Sequence, residues 1–152
     1  MKKYFDTEAD MFSYVKKIAE SIEHGAVIYL SGQLGAGKTT FVRGFLRALG
    51  YQDKVKSPTF TLVEVYELAD KLIYHFDLYR IENAAELENI GIRDYFSSDA
   101  VCLIEWPEKG VPVLPVPDLT CAITIADQGR DMVITASTER GEDIIKHLAL
   151  SS

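Results

Sequence analysis

Short runs of apolar residues alternate along the chain with segments whose apolar positions recur at helical spacing, the pattern of strands interleaved with amphipathic helices. Met11, Tyr14, Val15, Ile18, Ala19 and Ile22 share one side of a helix predicted over residues 7–24, capped by Asp6 or Thr7. Glu23-His24-Gly25 leads into Ala26-Val27-Ile28-Tyr29-Leu30, a buried strand. Phe41, Val42, Phe45, Leu46 and Leu49 form the apolar face of a second helix over 39–50, with Gly50 where a C-terminal cap belongs. β-Branched and aromatic residues mark strands over Phe60–Glu67 and Leu72–Phe76, joined as a hairpin by Ala69-Asp70-Lys71. Brief helices over Ala84–Asn89 and near Ile92–Phe96 precede the apolar strand Val101-Cys102-Leu103-Ile104. Three prolines make Val111–Asp118 a loop. Strands near Leu119–Ile125 and Met132–Ala136 turn around Gln128-Gly129-Arg130, and Glu142–Leu150 closes the chain as a helix. The order predicts a three-layer α/β/α fold with a mixed, partly antiparallel sheet.

Between the first strand and second helix lies Gly32-Gln33-Leu34-Gly35-Ala36-Gly37-Lys38-Thr39, a complete G-x-x-x-x-G-K-[ST] phosphate-binding loop in its proper strand–loop–helix frame. Gly32, Gly35, Ala36 and Gly37 leave backbone N–H groups free to curl around phosphate oxygens, beside the positive end of the following helix. Lys38 is expected at the β- and γ-phosphates, the Thr39 hydroxyl on Mg²⁺ and Thr40 facing the α-phosphate. The whole chain, 1–152, therefore reads as one P-loop nucleotide-binding domain.

Such a loop needs an acid at the end of a neighbouring strand to hold the metal. Asp77 ends Leu72–Phe76 and Glu105 ends Val101–Ile104, so the two compete for that place or converge on it. Ser57-Pro58-Thr59 resembles a nucleotide-sensing switch, with Pro58 biasing Ser57 toward extended geometry. His75 either orients Asp77 or a water, or is a hydrogen-bonded structural histidine. Trp106, the single tryptophan, lines the nucleotide or partner surface, or packs half-buried.

Composition narrows the reading. A net charge of −7 opposes tight direct binding to nucleic acid through a basic face, leaving contact through a partner or a local patch of Lys54, Lys56, Arg80 and Arg93. Met1-Lys2-Lys3-Tyr4-Phe5-Asp6 lacks the apolar run of a secretory leader, and no segment approaches a membrane span. Cys102 and Cys121 sit in apolar runs without metal spacing and read as small buried hydrophobes. The cytoplasm is the expected location.

Five motifs occur in order: Gly32–Thr40, Ser57-Pro58-Thr59-Phe60-Thr61-Leu62-Val63, His75-Phe76-Asp77-Leu78-Tyr79-Arg80, Gly91-Ile92-Arg93-Asp94-Tyr95-Phe96 and Ile104-Glu105-Trp106-Pro107. Together they resemble the bacterial TsaE family, formerly called YjeE, which are small P-loop ATPases. The resemblance implies a role in making threonylcarbamoyladenosine beside the anticodon of tRNAs that read codons beginning with A. It implies that TsaB and TsaD are partners, that TsaD carries the transferase chemistry, and that tRNA is met only through the complex. It further implies ATP and Mg²⁺ as cofactors, Lys38 on the terminal phosphates, Thr39 and Glu105 as metal ligands, and Asp77 as a second carboxylate near the metal or attacking water. Thr59 is then part of the mobile switch, Trp106 lines the site, and Arg130 contacts the nucleotide. By the same resemblance the segment Phe5–Met11 approaches the adenine, but Met11 stands where relatives carry threonine, so that contact is not carried over.

Two other readings compete. A small-molecule kinase would need an arginine-rich lid, which is missing from the sequence; a GTP switch would need an Asn-Lys-x-Asp guanine motif, which is missing too. With no obvious arginine finger beside the loop, hydrolysis by the isolated chain is expected to be slow; Arg80 and Arg93 are candidates, or a partner supplies the missing group.

Overall fold

The computed structural model describes residues 1–68, 70–96 and 99–150. In chain order the elements are β1 (Lys2–Phe5), α1 (Glu8–Glu20), β2 (Ala26–Ser31), α2 (Lys38–Ala48), β3 (Val63–Leu68), β4 (Lys71–Asp77), α3 (Ala85–Asn89), β5 (Val101–Glu105), β6 (Leu119–Ala126), β7 (Gly129–Ala136) and α4 (Glu139–Leu150). Two 3-10 turns, Ile92–Phe96 and Pro107–Lys109, flank β5. The sheet is seven-stranded in the order β1-β7-β6-β2-β5-β4-β3. Its centre, β6-β2-β5-β4, pairs in parallel; the outer pairs β6–β7, β1–β7 and β3–β4 are antiparallel. The α/β class and the mixed sheet are as expected.

Strand alternation sorts side chains onto two unequal faces. Ala26, Ile28, Leu30, Val101, Leu103 and Ile73 join Val15, Ile18, Phe41, Phe45, Ile144 and Leu148 in one core under α1, α2 and α4. Cys102, Ile104 and Phe76 face the other way, where α3, the 3-10 turns and Leu114 of the proline-rich loop cover them. The expected three layers are present, one thick and one thin. No described helix is long and apolar enough to cross a membrane.

Several predicted boundaries move for identifiable reasons. The first strand, β1, was not foreseen: it is four residues long and pairs antiparallel with β7, from Lys2 opposite Val133 to Phe5 opposite Arg130. α1 begins where Thr7 accepts the Asp10 N–H, but stops at Glu20 because the Ser21 hydroxyl donates to the Lys17 carbonyl. β3 starts at Val63, not Phe60: Leu62 has φ +74° and donates its N–H to the Pro58 carbonyl, turning 58–62 into a loop. Ala69, in the link expected between β3 and β4, lies outside the described residues, though the two strands do pair as a hairpin. The β6–β7 hairpin closes at Asp127-Gln128, with Asp127 at φ +52°, so Gly129 and Arg130 belong to the strand and not the turn. α4 starts three residues earlier than predicted because Thr138 caps it, accepting the Gly141 N–H. Gly50, at φ +96°, ends α2 as foreseen, followed by the Tyr51 N–H bond to the Leu46 carbonyl.

Asp118 fastens the sheet to α4. Its Oδ2 accepts the Val27 N–H at 2.7 Å and its Oδ1 accepts the Thr138 hydroxyl at 2.6 Å. α4 can dock there only because Gly141 lacks a side chain: a Cβ would sit 1.9 Å from the Asp118 carbonyl oxygen. Gly141→Ala should gain about 1 kcal/mol of helix propensity yet lose about 2–3 kcal/mol to overpacking, so denaturant melts should show net destabilisation. Burial pushes the Cys102 and Cys121 thiols up to about 12. Both should resist a thiol-reactive dye at neutral pH in the native protein and react together once guanidinium unfolds it.

Candidate functional site

The site grows from where the parallel strands stop. Leu30 lies opposite Glu105, and Glu105 opposite Asp77, so β2, β5 and β4 end level with one another. Ligands gather at the carboxyl ends of such strands. The glycine loop leaves β2 at that edge and feeds α2, whose N-terminal donors face back toward it. Gly32 must be glycine, since a Cβ there would meet the Ile123 carbonyl at 2.4 Å. Gly37, at φ +119°, supplies the left-handed turn that starts the helix.

Lys38 is buried, 5% exposed, and reaches back across the loop to donate its ammonium to the Gly32 carbonyl. The Trp106 ring covers the same ammonium, with Nζ 3.5 Å from the ring centroid, a cation–π contact. Burial pulls the Lys38 pKa below the usual lysine value, while the charges of Glu105, Glu108 and Asp77 oppose that shift. Trp106 itself sits at φ +58° ahead of Pro107, a conformation disfavoured for a residue preceding proline. That strain, of order 1–3 kcal/mol, is borne by packing: Tyr79 tilts against the indole at 5.1 Å.

The carboxylates are placed by partners from three segments. Asp77 Oδ1 accepts the Tyr79 N–H at 3.0 Å, and its Oδ2 accepts the Thr59 hydroxyl at 3.2 Å. The Ser57 hydroxyl lies 2.7 Å from that of Thr59, so the expected switch tripeptide is hydrogen-bonded directly to an acid of the site. Glu105 Oε2 lies 2.6 Å from His75 Nε2. Of the two readings of His75, the structure agrees with the hydrogen-bonded buried histidine; its partner is Glu105, not Asp77. Lys38, Thr39, Thr40, Thr59, Asp77, Glu105 and Trp106 line one cleft of about 390 Å³, within the range of small-ligand sites.

A second cavity of about 240 Å³ lies on the other side of the loop, sharing Gly35, Gly37 and Thr40 with the first. Phe5, Thr7, Met11 and Arg130 line it. Arg130 donates Nε to the Ala36 carbonyl at 2.8 Å and Nη2 to that of Gly35 at 3.2 Å. The guanidinium thus braces the loop while also lining this cavity, a contact the sequence hid because the residue read as part of a turn. The candidate arginine fingers stand elsewhere: Arg80 stacks over Phe60 at 4.1 Å, and Arg93 pairs with Glu88 at 2.9 Å. Among the described residues, no arginine lines the cleft.

Comparison with known proteins agrees with the motif order. The profile of the family described as threonylcarbamoyl adenosine biosynthesis protein TsaE matches residues 5–133. The tRNA threonylcarbamoyladenosine biosynthesis protein TsaE of Haemophilus influenzae is 48% identical over 150 residues, covering 95% of either chain. Its counterpart in Bacillus subtilis is 39% identical over 135 residues, 88% of this chain and 84% of that one. The crystal structure of Bacillus subtilis YdiB superposes with a TM-score of 0.86 at 31% identity, covering 99% of this chain and 95% of that one. The chain belongs to the TsaE family, whose role is in tRNA threonylcarbamoyladenosine biosynthesis.

Proposed function

We propose that this chain is a cytoplasmic, Mg²⁺-dependent ATPase that works with TsaB and TsaD to sustain turnover of the threonylcarbamoyl transferase. The observation that carries the reading is Lys38: a buried ammonium at the start of α2, sharing one cleft with two carboxylates and the hydroxyls of Thr39, Thr40 and Thr59. A triphosphate is the ligand whose charge suits that ammonium and whose oxygens suit the loop amides. The cavity braced by Arg130 is the adjoining space for the base and sugar.

The donor set fits magnesium. Thr39, Glu105 and Asp77 offer hard oxygen atoms on one cleft wall. Among the described residues no cluster of three or more acidic, histidine or cysteine groups could hold a metal unaided. Phosphate oxygens would complete the shell. Thr39 and Glu105 would hold the ion, while Asp77, whose oxygens each accept one hydrogen bond, from Tyr79 and Thr59, keeps lone pairs for a water. Magnesium there supplies neutralisation of charge on the phosphate oxygens.

The chain's own groups divide the remaining work. Lys38 leaves the Gly32 carbonyl and the Trp106 ring to meet the terminal phosphates. Asp77, fixed at both oxygens, orients the water that attacks the γ-phosphorus in line as the bond to the β–γ bridging oxygen breaks. Thr59 couples that acid to the 57–62 loop, so loss of the γ-phosphate frees the loop. With no arginine among the described residues that line the cleft, hydrolysis by the chain alone is slow, and the partners supply what is missing. The net charge of −7 supports contact with tRNA only through those partners.

Lys38→Ala should remove ATP binding in calorimetry without unfolding the domain, as the circular dichroism spectrum checks. In wild-type protein, the emission of the single tryptophan should change as ATP draws Lys38 from its ring. Glu105→Ala should keep nucleotide binding but lower Mg²⁺-dependent hydrolysis about 100-fold; unaltered hydrolysis would take Glu105 out of the site. Reconstitution with TsaB, TsaD, tRNA and a threonylcarbamoyl donor tests the partnership. Many turnovers are expected only when this chain, ATP and Mg²⁺ are all present, and undiminished turnover in its absence would refute the role.

A further inference from the structure

His75 is an imidazole 1% exposed, next to apolar Phe76 on a strand deep in the sheet. Its Nε2 lies 2.6 Å from Glu105 Oε2, while its Nδ1 is buried with no hydrogen-bond partner among the described residues. Register explains how the two meet. His75 stands opposite Leu103 on β5, so Glu105 is its diagonal neighbour on the same sheet face. Stability does not explain why they are there. A buried polar pair is often no more stable than apolar side chains of equal volume, and an unmatched buried nitrogen is a further cost.

What the pair provides is direction. Facing a carboxylate, Nε2 is the nitrogen placed to donate, and the neutral tautomer that makes this bond leaves Nδ1 as an acceptor. An unmatched acceptor is tolerated better in a protein interior than an unmatched N–H. Glu105 is then anchored through one oxygen, while its residue lines the cleft that holds Lys38 and Thr39. Asp77 needs no such help, because a backbone N–H and Thr59 already hold both of its oxygens.

We propose that His75 is a positioning residue: it donates its Nε2 hydrogen to Oε2 of Glu105 and thereby presents Oε1 to the divalent cation that accompanies the nucleotide. This rests on the nucleotide reading given above. His75 touches neither nucleotide nor cation; it acts through the carboxylate. Groups that orient ligands in this way typically change metal affinity or activity by 10–100-fold when lost.

Two measurements test the role. Long-range ¹H–¹⁵N spectra of the wild-type protein, with the His75 signals assigned by their loss in His75→Gln, should show a protonated Nε2 and a bare Nδ1; the opposite tautomer would overturn the proposal without any nucleotide present. Glutamine places its amide nitrogen near the position of Nε2, and asparagine near that of Nδ1. His75→Asn should therefore raise the Mg²⁺ concentration for half-maximal ATP hydrolysis about tenfold, with Mg²⁺-free ATP affinity unchanged, and His75→Gln should recover most of the loss. Equal Mg²⁺ dependence in all three proteins, or equal loss in both variants, overturns the positioning role and leaves the nucleotide reading standing. Failure of the folded wild-type protein to bind ATP removes the nucleotide reading, and with it the cation assigned to Glu105.

Discussion

The level ending of three parallel strands is the constraint on which the candidate site depends. Because Leu30, Glu105 and Asp77 are held in register by the ladders of β2, β5 and β4, two acids and the root of the glycine loop arrive at one edge of the sheet. A shift of one residue in either ladder would turn an acid to the opposite face. That register is protected by burial on both faces: Leu103 and Ile73 pack under the long helices, while Ile104 and Phe76 pack under the thinner cover. The hydrophobic cores are thus what align the polar site.

Burial also governs the charges. Lys38, His75, Asp77 and Glu105 are all nearly withdrawn from water, so each needs a partner supplied by the fold. Asp77 has backbone and hydroxyl donors, Glu105 has an imidazole, and Lys38 has a carbonyl and an aromatic face. These partners hold each polar group in a fixed position at the edge of the cleft.

Much of this could be read from the residues because it is local. The glycine loop carries its own spacing, its strand and helix flank it directly, and Asp77 and Glu105 each end an apolar run. What escaped the reading is long-range. β1 exists because Lys2–Phe5 finds β7 more than a hundred residues away, and four residues with mostly exposed side chains carry no periodic signal. Pairing with β6 draws Gly129 and Arg130 into β7, which lets the guanidinium brace the carbonyls of Gly35 and Ala36. A polar run of Asp127-Gln128-Gly129-Arg130 looks like turn throughout; only the matching arms of the hairpin show that two residues suffice. His75 was recognisable as a buried polar residue, but a choice between two acids requires the diagonal register.

Trp106 links these levels. Glu105 must be the last residue of β5 to face the cleft, so the chain has to turn immediately afterwards, and Pro107 prevents that turn from continuing as strand. The left-handed geometry at Trp106 brings its indole back over Lys38. An alanine at position 106 would meet the same backbone strain without the ring that packs on Tyr79 and covers the ammonium. The local cost is therefore tied to the location of the aromatic face: the side chain that offsets the strain is also the one that covers the lysine ammonium.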